Sequence, residues 1–220
     1  CLAIGLVSAP LLVNFRAKNP ASQDIQHAAY VAGLLLSGLT VPMAMAAIPG
    51  GWLSERYGYR FPTVFGLLLA CAGFALTGLV WTSRTSYWIM GAQMAIIGVG
   101  LGLTISPVST SAINAVDEGE RGVASALILM LRLVGMTVAI SSLTIFSLKR
   151  FDVLITRYVK PAGTGLEDVV KASQEANLKA VVAVISELQF IGAAVSALAL
   201  LFALAMHGGR RGTVHTTPDT

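Results

Sequence analysis

The densest chemistry in this chain lies in ten residues, Gly51-Trp52-Leu53-Ser54-Glu55-Arg56-Tyr57-Gly58-Tyr59-Arg60. Gly58 permits a sharp backbone turn that a residue with a Cβ resists. Glu55 can face the positive end of a neighbouring helix, and Arg56 and Arg60 can pair with carboxylates or lipid phosphates. By residue type alone the segment also fits a generic charged membrane loop. Elsewhere reactive groups are sparse. His27, His207 and His215 are isolated, and Cys1 and Cys71 have neither CxxC nor metal-ligand spacing. No metal site, disulfide framework or cofactor is expected, and Cys71 reads as a buried structural thiol. A membrane enzyme would need converging His, Asp or Glu residues, which this spacing does not supply.

Two ionisable residues stand inside apolar runs. Arg132 lies ten residues past Gly122, roughly 15 Å into a helix that starts there. A charge at that depth costs several kcal/mol unless it is paired or hydrated. Arg132 is therefore expected either to line a wet cavity or to be tied structurally to backbone carbonyls. Gln93 is a second candidate cavity-lining residue. Glu187, about two turns into the last apolar run, suits an interfacial acid better than a proton carrier. Gln26 and His27 open an apolar run and read as interfacial polar groups.

The elements that position these residues follow from composition. Apolar residues make up 55% of the chain and charged residues 12%, against roughly a quarter charged in soluble domains. Lipid must solvate much of this surface. The net charge is +4, with basic residues scattered rather than clustered. This excludes a nucleic-acid footprint and calls only for an anionic lipid surface.

Six segments approach the roughly 20 apolar residues that a bilayer crossing needs. They run from Cys1 to Phe15, Ile25 to Leu53, Thr63 to Trp81, Tyr87 to Asn114, Gly122 to Leu148 and Ala180 to Met206. The first is short and is expected to be a truncated helix. All are too long for strands and lack the alternation of a barrel, so the fold class is an all-α integral membrane bundle over residues 1–206. Pro42, Pro49 and Pro107 are tolerated there. Residues 149–179 form a polar connection whose second half reads as a short surface helix. Thr164 and Glu167 have capping-box spacing, and Glu167–Lys171 and Glu175–Lys179 are favourable i,i+4 pairs. Residues 207–220 form a polar tail, expected to be disordered.

Glycine spacing adds a packing signal. Gly98-Val99-Gly100-Leu101-Gly102 precedes Ser106-Pro107, with Gly91 and Ala95 one turn earlier. Close glycines let helix backbones approach. Gly98, Gly100, Gly102, Gly122 and Gly135 are expected to serve helix packing, and a substrate role for the first three stays open.

The decapeptide resembles the signature loop of the major facilitator superfamily, Gly-x-Leu-(small/Asp)-Asp-Arg-x-Gly-basic-basic. Gly51, Leu53, Glu55, Arg56, Gly58 and Arg60 occupy the signature positions. Glu55 stands where the family usually has Asp, and Tyr59 replaces a basic residue. The loop falls between the second and third segments, as it does in each six-helix half of that family. Arg121-Gly122-Val123-Ala124-Ser125-Ala126 and Arg132-Leu133-Val134-Gly135 resemble the fifth helix of the second half in the fourteen-span drug:proton antiporter branch.

The resemblance implies the C-terminal half of a transporter, built of six helices in two three-helix repeats, with the signature loop serving conformational switching. Its partners would be the lipid bilayer, the N-terminal half, a small-molecule substrate and protons. The expected activity is proton-coupled efflux of amphipathic small molecules by alternating access. A carrier of a defined metabolite, a non-transporting membrane scaffold and a membrane enzyme are the alternatives. The resemblance places a multi-pass chain in the plasma membrane with the signature loop and tail in the cytoplasm. A charge count opposes this. Arg56, Arg60, Arg121, Arg210 and Arg211 share the loop's side, while Arg16, Lys18, Arg84, Lys149, Arg150, Arg157, Lys160, Lys171 and Lys179 lie opposite. Much of the opposing charge sits in the long connection, where the positive-inside rule is weak.

Overall fold

The computed structural model describes residues 1, 3–4, 7–8, 22–82, 85–158 and 166–205. Most of the first predicted segment, the Arg16 and Lys18 loop, Arg84, Lys160, Thr164 and the polar tail lie outside the described residues. So do the side chains of Gln26, Glu167 and Lys171.

Five long helices account for nearly all of the described chain: α1 (Ser22–Tyr57), α2 (Arg60–Val80), α3 (Tyr87–Ile113), α4 (Arg121–Tyr158) and α5 (Leu166–Ala205). A single 3-10 turn, Glu118–Glu120, leads into α4. Each of the five contains a stretch long and apolar enough to cross a membrane. The chain is thus an all-helical, multi-pass membrane protein, with no strand among the described residues.

α1 runs unbroken through Pro42 and Pro49. It reaches Tyr57, four residues beyond the expected end, so only Gly58 and Tyr59 separate it from α2. The reversal depends on Gly58, whose φ of 84° lies in the left-handed region where a Cβ would be strained. Pro62 falls in the first turn of α2, where its missing N–H has no helical partner to lose.

α3 is the centre of the bundle, and its glycines explain why. Gly98 and Gly102, one turn apart, face α1, where a Cβ would collide with the carbonyls of Leu39 and Met43. Gly100 points the opposite way, toward α2, where a Cβ would stand 2.6 Å from the Ala70 nitrogen and 2.7 Å from the Gly66 oxygen. Alternating glycines thus seat one helix backbone on each side of α3. α2 is gripped on its other face by α5, where Gly192 receives the ring of Phe74. The fully buried side chains, among them Leu39, Phe74, Met90, Met94, Ile97, Ile185 and Leu188, fill the seams among these helices.

α4 differs from the rest. Ser147 and Leu154 are its only buried residues, and both lie toward its C-terminal end. None of its most apolar stretch is buried. Gly122 and Gly135, expected to serve packing, have no described residue within 4 Å of a Cβ added at either. Their sequence context is small and apolar, but none of the described helices covers that face.

The polar connection at 149–179 also differs from expectation. α4 does not stop near Leu148, and α5 starts well before Ala180. With 38 and 40 residues, these helices are roughly 57 and 60 Å long, about twice a bilayer core. The reason is an apolar stripe concealed among charges. Leu154 of α4 shares one buried apolar cluster with Ala180, Val181 and Val184 of α5, and Leu143, Phe151 and Ile155 pack against that cluster, with Phe151, Leu154 and Ile155 at the i, i+3, i+4 spacing of one helix face. The Glu175–Lys179 pair forms on the exposed side at 3.9 Å.

Candidate functional site

The signature decapeptide divides between a helix end and a turn. Gly51 to Tyr57 complete α1, and Arg60 opens α2. Ser54 is buried and its hydroxyl donates to the Gly51 carbonyl at 2.6 Å. Gly51 itself sits close under α3, with a Cβ there only 3.0 Å from the Ser106 hydroxyl. Two bonds tie the turn to distant elements. Asn114 Nδ2 donates to the Tyr59 hydroxyl at 2.8 Å. Arg60 Nη2 donates to the Leu204 carbonyl at 2.6 Å, next to the negative end of the α5 dipole, where a cation is favoured. The signature turn, the end of α3 and the end of α5 therefore lie together at one face of the bundle. Glu55 and Arg56 are exposed there, without a hydrogen bond or ion pair to any described residue. Arg56 instead lies over the rings of Trp52 and Tyr57, at 5.5 and 5.9 Å from their centroids.

At the opposite face, Gln93 departs from its expected place. It is buried, and its Oε1 accepts from the indole Nε1 of buried Trp81 at 2.7 Å. Gln93 therefore ties the end of α2 to α3 rather than lining an open surface. An indole N–H inside an apolar environment must find an acceptor, and Gln93 is the group within reach. Nearby, Ser186 of α5 donates to the Gly78 carbonyl at 2.7 Å. Cys71 is half-buried and free, its Sγ 3.5 Å from the Ala193 carbonyl.

Glu187 is paired. Arg150 Nε and Nη2 donate to its two carboxylate oxygens at 2.7 and 2.8 Å. This fork joins the C-terminal third of α4 to the middle of α5. The pairing was not legible from sequence, because the two residues stand 37 positions apart across a connection expected to be polar and solvated.

Arg132 stands on the uncovered face of α4. It is exposed and makes no hydrogen bond or ion pair with any described residue. Leu129, Met130, Leu131, Leu133 and Val134 around it are exposed as well. Among the described residues no backbone carbonyl holds Arg132. What remains is one cation on an apolar wall of membrane-spanning length.

Comparison with known proteins accords with this architecture. Residues 5–152, more than half of the chain, match the family model described as Major Facilitator Superfamily. Over 169 residues the chain is 30% identical to a triacylglyceride transporter of Mycolicibacterium smegmatis, covering 69% of this chain and 28% of that protein. It is 32% identical over 145 residues to one of Mycobacteroides abscessus, covering 60% and 28%. It is 35% identical over 130 residues to one of Mycolicibacterium hassiacum, covering 55% and 24%. The chain spans less than a third of the length of each of these relatives. With the family model matched across the signature turn, the glycine-seated helices and most of α4, this chain belongs to the major facilitator superfamily.

Proposed function

We propose that this chain forms the C-terminal half of a secondary-active transporter that exports amphipathic or lipid-like molecules, coupled to protons, by alternating access. The observation that carries the reading is α4: a membrane-length apolar wall, uncovered by the other described helices, with the cation Arg132 near mid-depth. Such a surface suits one side of a transport cavity whose other side is an N-terminal six-helix half. Six spans in two three-helix repeats is the count this reading requires, with the first segment completing the five described. The proton-carrying carboxylates are assigned to the other half. Lipid-like substrates extend the reading of amphipathic drugs, because three similar proteins are named as triacylglyceride transporters. We assign the signature turn and tail to the cytoplasm of a plasma-membrane protein.

The test is reconstitution. Full-length protein in liposomes should move a fluorescent triacylglyceride analogue or a lipophilic dye, and a protonophore should abolish accumulation. The chain by itself should give no gradient-driven flux. Robust uptake by this chain alone would overturn the half-transporter reading. Transport by the full protein that ignores the proton gradient would overturn the coupling.

The signature residues Gly51, Leu53, Glu55, Arg56, Gly58 and Arg60 are assigned to switching between states. Gly58→Val places a β-branched residue at positive φ, a strain of about 1–3 kcal/mol. In full-length protein this substitution should slow conformational exchange, read by single-molecule FRET, more than it weakens ligand binding. Normal exchange rates with collapsed affinity would show that the turn lies at the substrate rather than at the switch.

A further inference from the structure

The signature turn contains two arginines, and the fold uses them differently. Arg60 is committed to the Leu204 carbonyl at the end of α5. Arg56 has no carboxylate or carbonyl among the described residues. Its guanidinium rests on Trp52 and Tyr57 instead, an arrangement that orients the cation and leaves its N–H donors free.

From this cation an aromatic track leads away along α2. The Tyr57 and Phe61 centroids are 5.7 Å apart, and Phe61 and Phe65 stack within 5° of parallel at 6.5 Å. Trp52, Tyr57, Phe61 and Phe65 are each more than half exposed. α2 is covered by α3 and α5 on its other faces. The track therefore lies on an outward face, continued by exposed Leu68, Leu76 and Leu79. Phe65 stands five residues into α2, about 7 Å below its start. A cation at the membrane boundary with rings descending from it has the polarity profile of one phospholipid molecule. The start of α2 adds a further attraction for an anion. It has no side-chain cap and no acid in its first turn, so its N–H groups and positive dipole are not offset there. Glu55 is adjacent in sequence but makes no ion pair with Arg56 or any other described residue.

We infer that Arg56, Trp52 and Tyr57 form a binding site for the phosphate headgroup of an anionic membrane lipid, with one acyl chain lying along Phe61 and Phe65. The lipid would brace the free end of the signature turn from the bilayer side, as Asn114 and Leu204 brace it from the bundle side.

The experiment uses full-length protein in neutral detergent, with phosphatidylglycerol, phosphatidylcholine and sodium phosphate as separate probes. Native mass spectrometry counts retained lipid, and no transport is needed to score it. Wild type should retain phosphatidylglycerol in preference to phosphatidylcholine. Arg56→Gln should lower phosphatidylglycerol occupancy about five- to tenfold, the share one interfacial cation contributes. Arg56→Lys, which keeps the charge, should retain part of it. The paired change Phe61→Ala and Phe65→Ala should weaken retention of both lipids. Arg157→Gln, remote from the turn, should change nothing. Equal retention of the two lipids by wild type would overturn the proposal without any variant. So would wild-type occupancy in Arg56→Gln, or displacement of the lipid by sodium phosphate at equal concentration, which would mark a free-anion site.

Discussion

Gly98→Leu is expected to destabilise the folded full-length protein by about 3 kcal/mol, near the upper end for overpacked cores. The reason is what the new side chain meets. A Cβ at Gly98 already collides with the Leu39 carbonyl and comes within 3.3 Å of the Met43 nitrogen. These are backbone atoms in the middle of a membrane helix, which cannot swing aside as a side-chain tip can. α1 would have to move away from α3, opening the seam filled by Leu39, Met94 and Ile97. Gly135→Leu is the informative companion, because nothing lies within 4 Å of its Cβ. Detergent melting and fluorescence-detected size exclusion should show a large loss for the first substitution and little for the second. Matching melting temperatures would contradict the helix contacts described above. Severe loss at Gly135 alone would show that the open face of α4 is packed by another part of the protein.

The second large effect is expected at Arg132. Arg132→Leu should leave membrane yield unchanged or raise it, since an apolar residue replaces an unpartnered charge on an apolar wall. Transport by the full-length protein should fall about tenfold or more, the scale of losing a charge-assisted hydrogen bond. Arg132→Lys keeps the charge but loses the planar fork, and should recover part of the activity. Yield and efflux should be measured on the same preparations. A collapse of yield would make Arg132 a structural residue. Normal yield with wild-type transport of every tested substrate would remove it from the transport path.

Much of this protein is legible in one dimension because its signals are local. A run of about 20 apolar residues has one solution in a bilayer, a helix. Each of the five described helices overlaps one predicted segment, although α4 and α5 run well beyond theirs. Gly58 announces a positive φ because a two-residue reversal between helices needs one. The alternation at Gly98, Gly100 and Gly102 marks a helix approached closely on two sides.

Which surfaces meet was decided only in three dimensions. Gln93 and Arg132 looked alike as polar groups in apolar runs, yet one is buried against Trp81 and the other stands exposed. Glu187 looked interfacial, and it became half of a fork with Arg150. Gly122 and Gly135 resembled packing glycines, and none of the described helices covers them. The charged connection read as a polar lead-in with a short surface helix until Phe151, Leu154 and Ile155 joined one apolar cluster with Ala180, Val181 and Val184. The physical reason is common to all four cases. Hydropathy and periodicity report how each segment is solvated and how its own backbone turns. A side chain's partner depends on the rotation and register of two helices, set by volume matching over residues far apart in sequence.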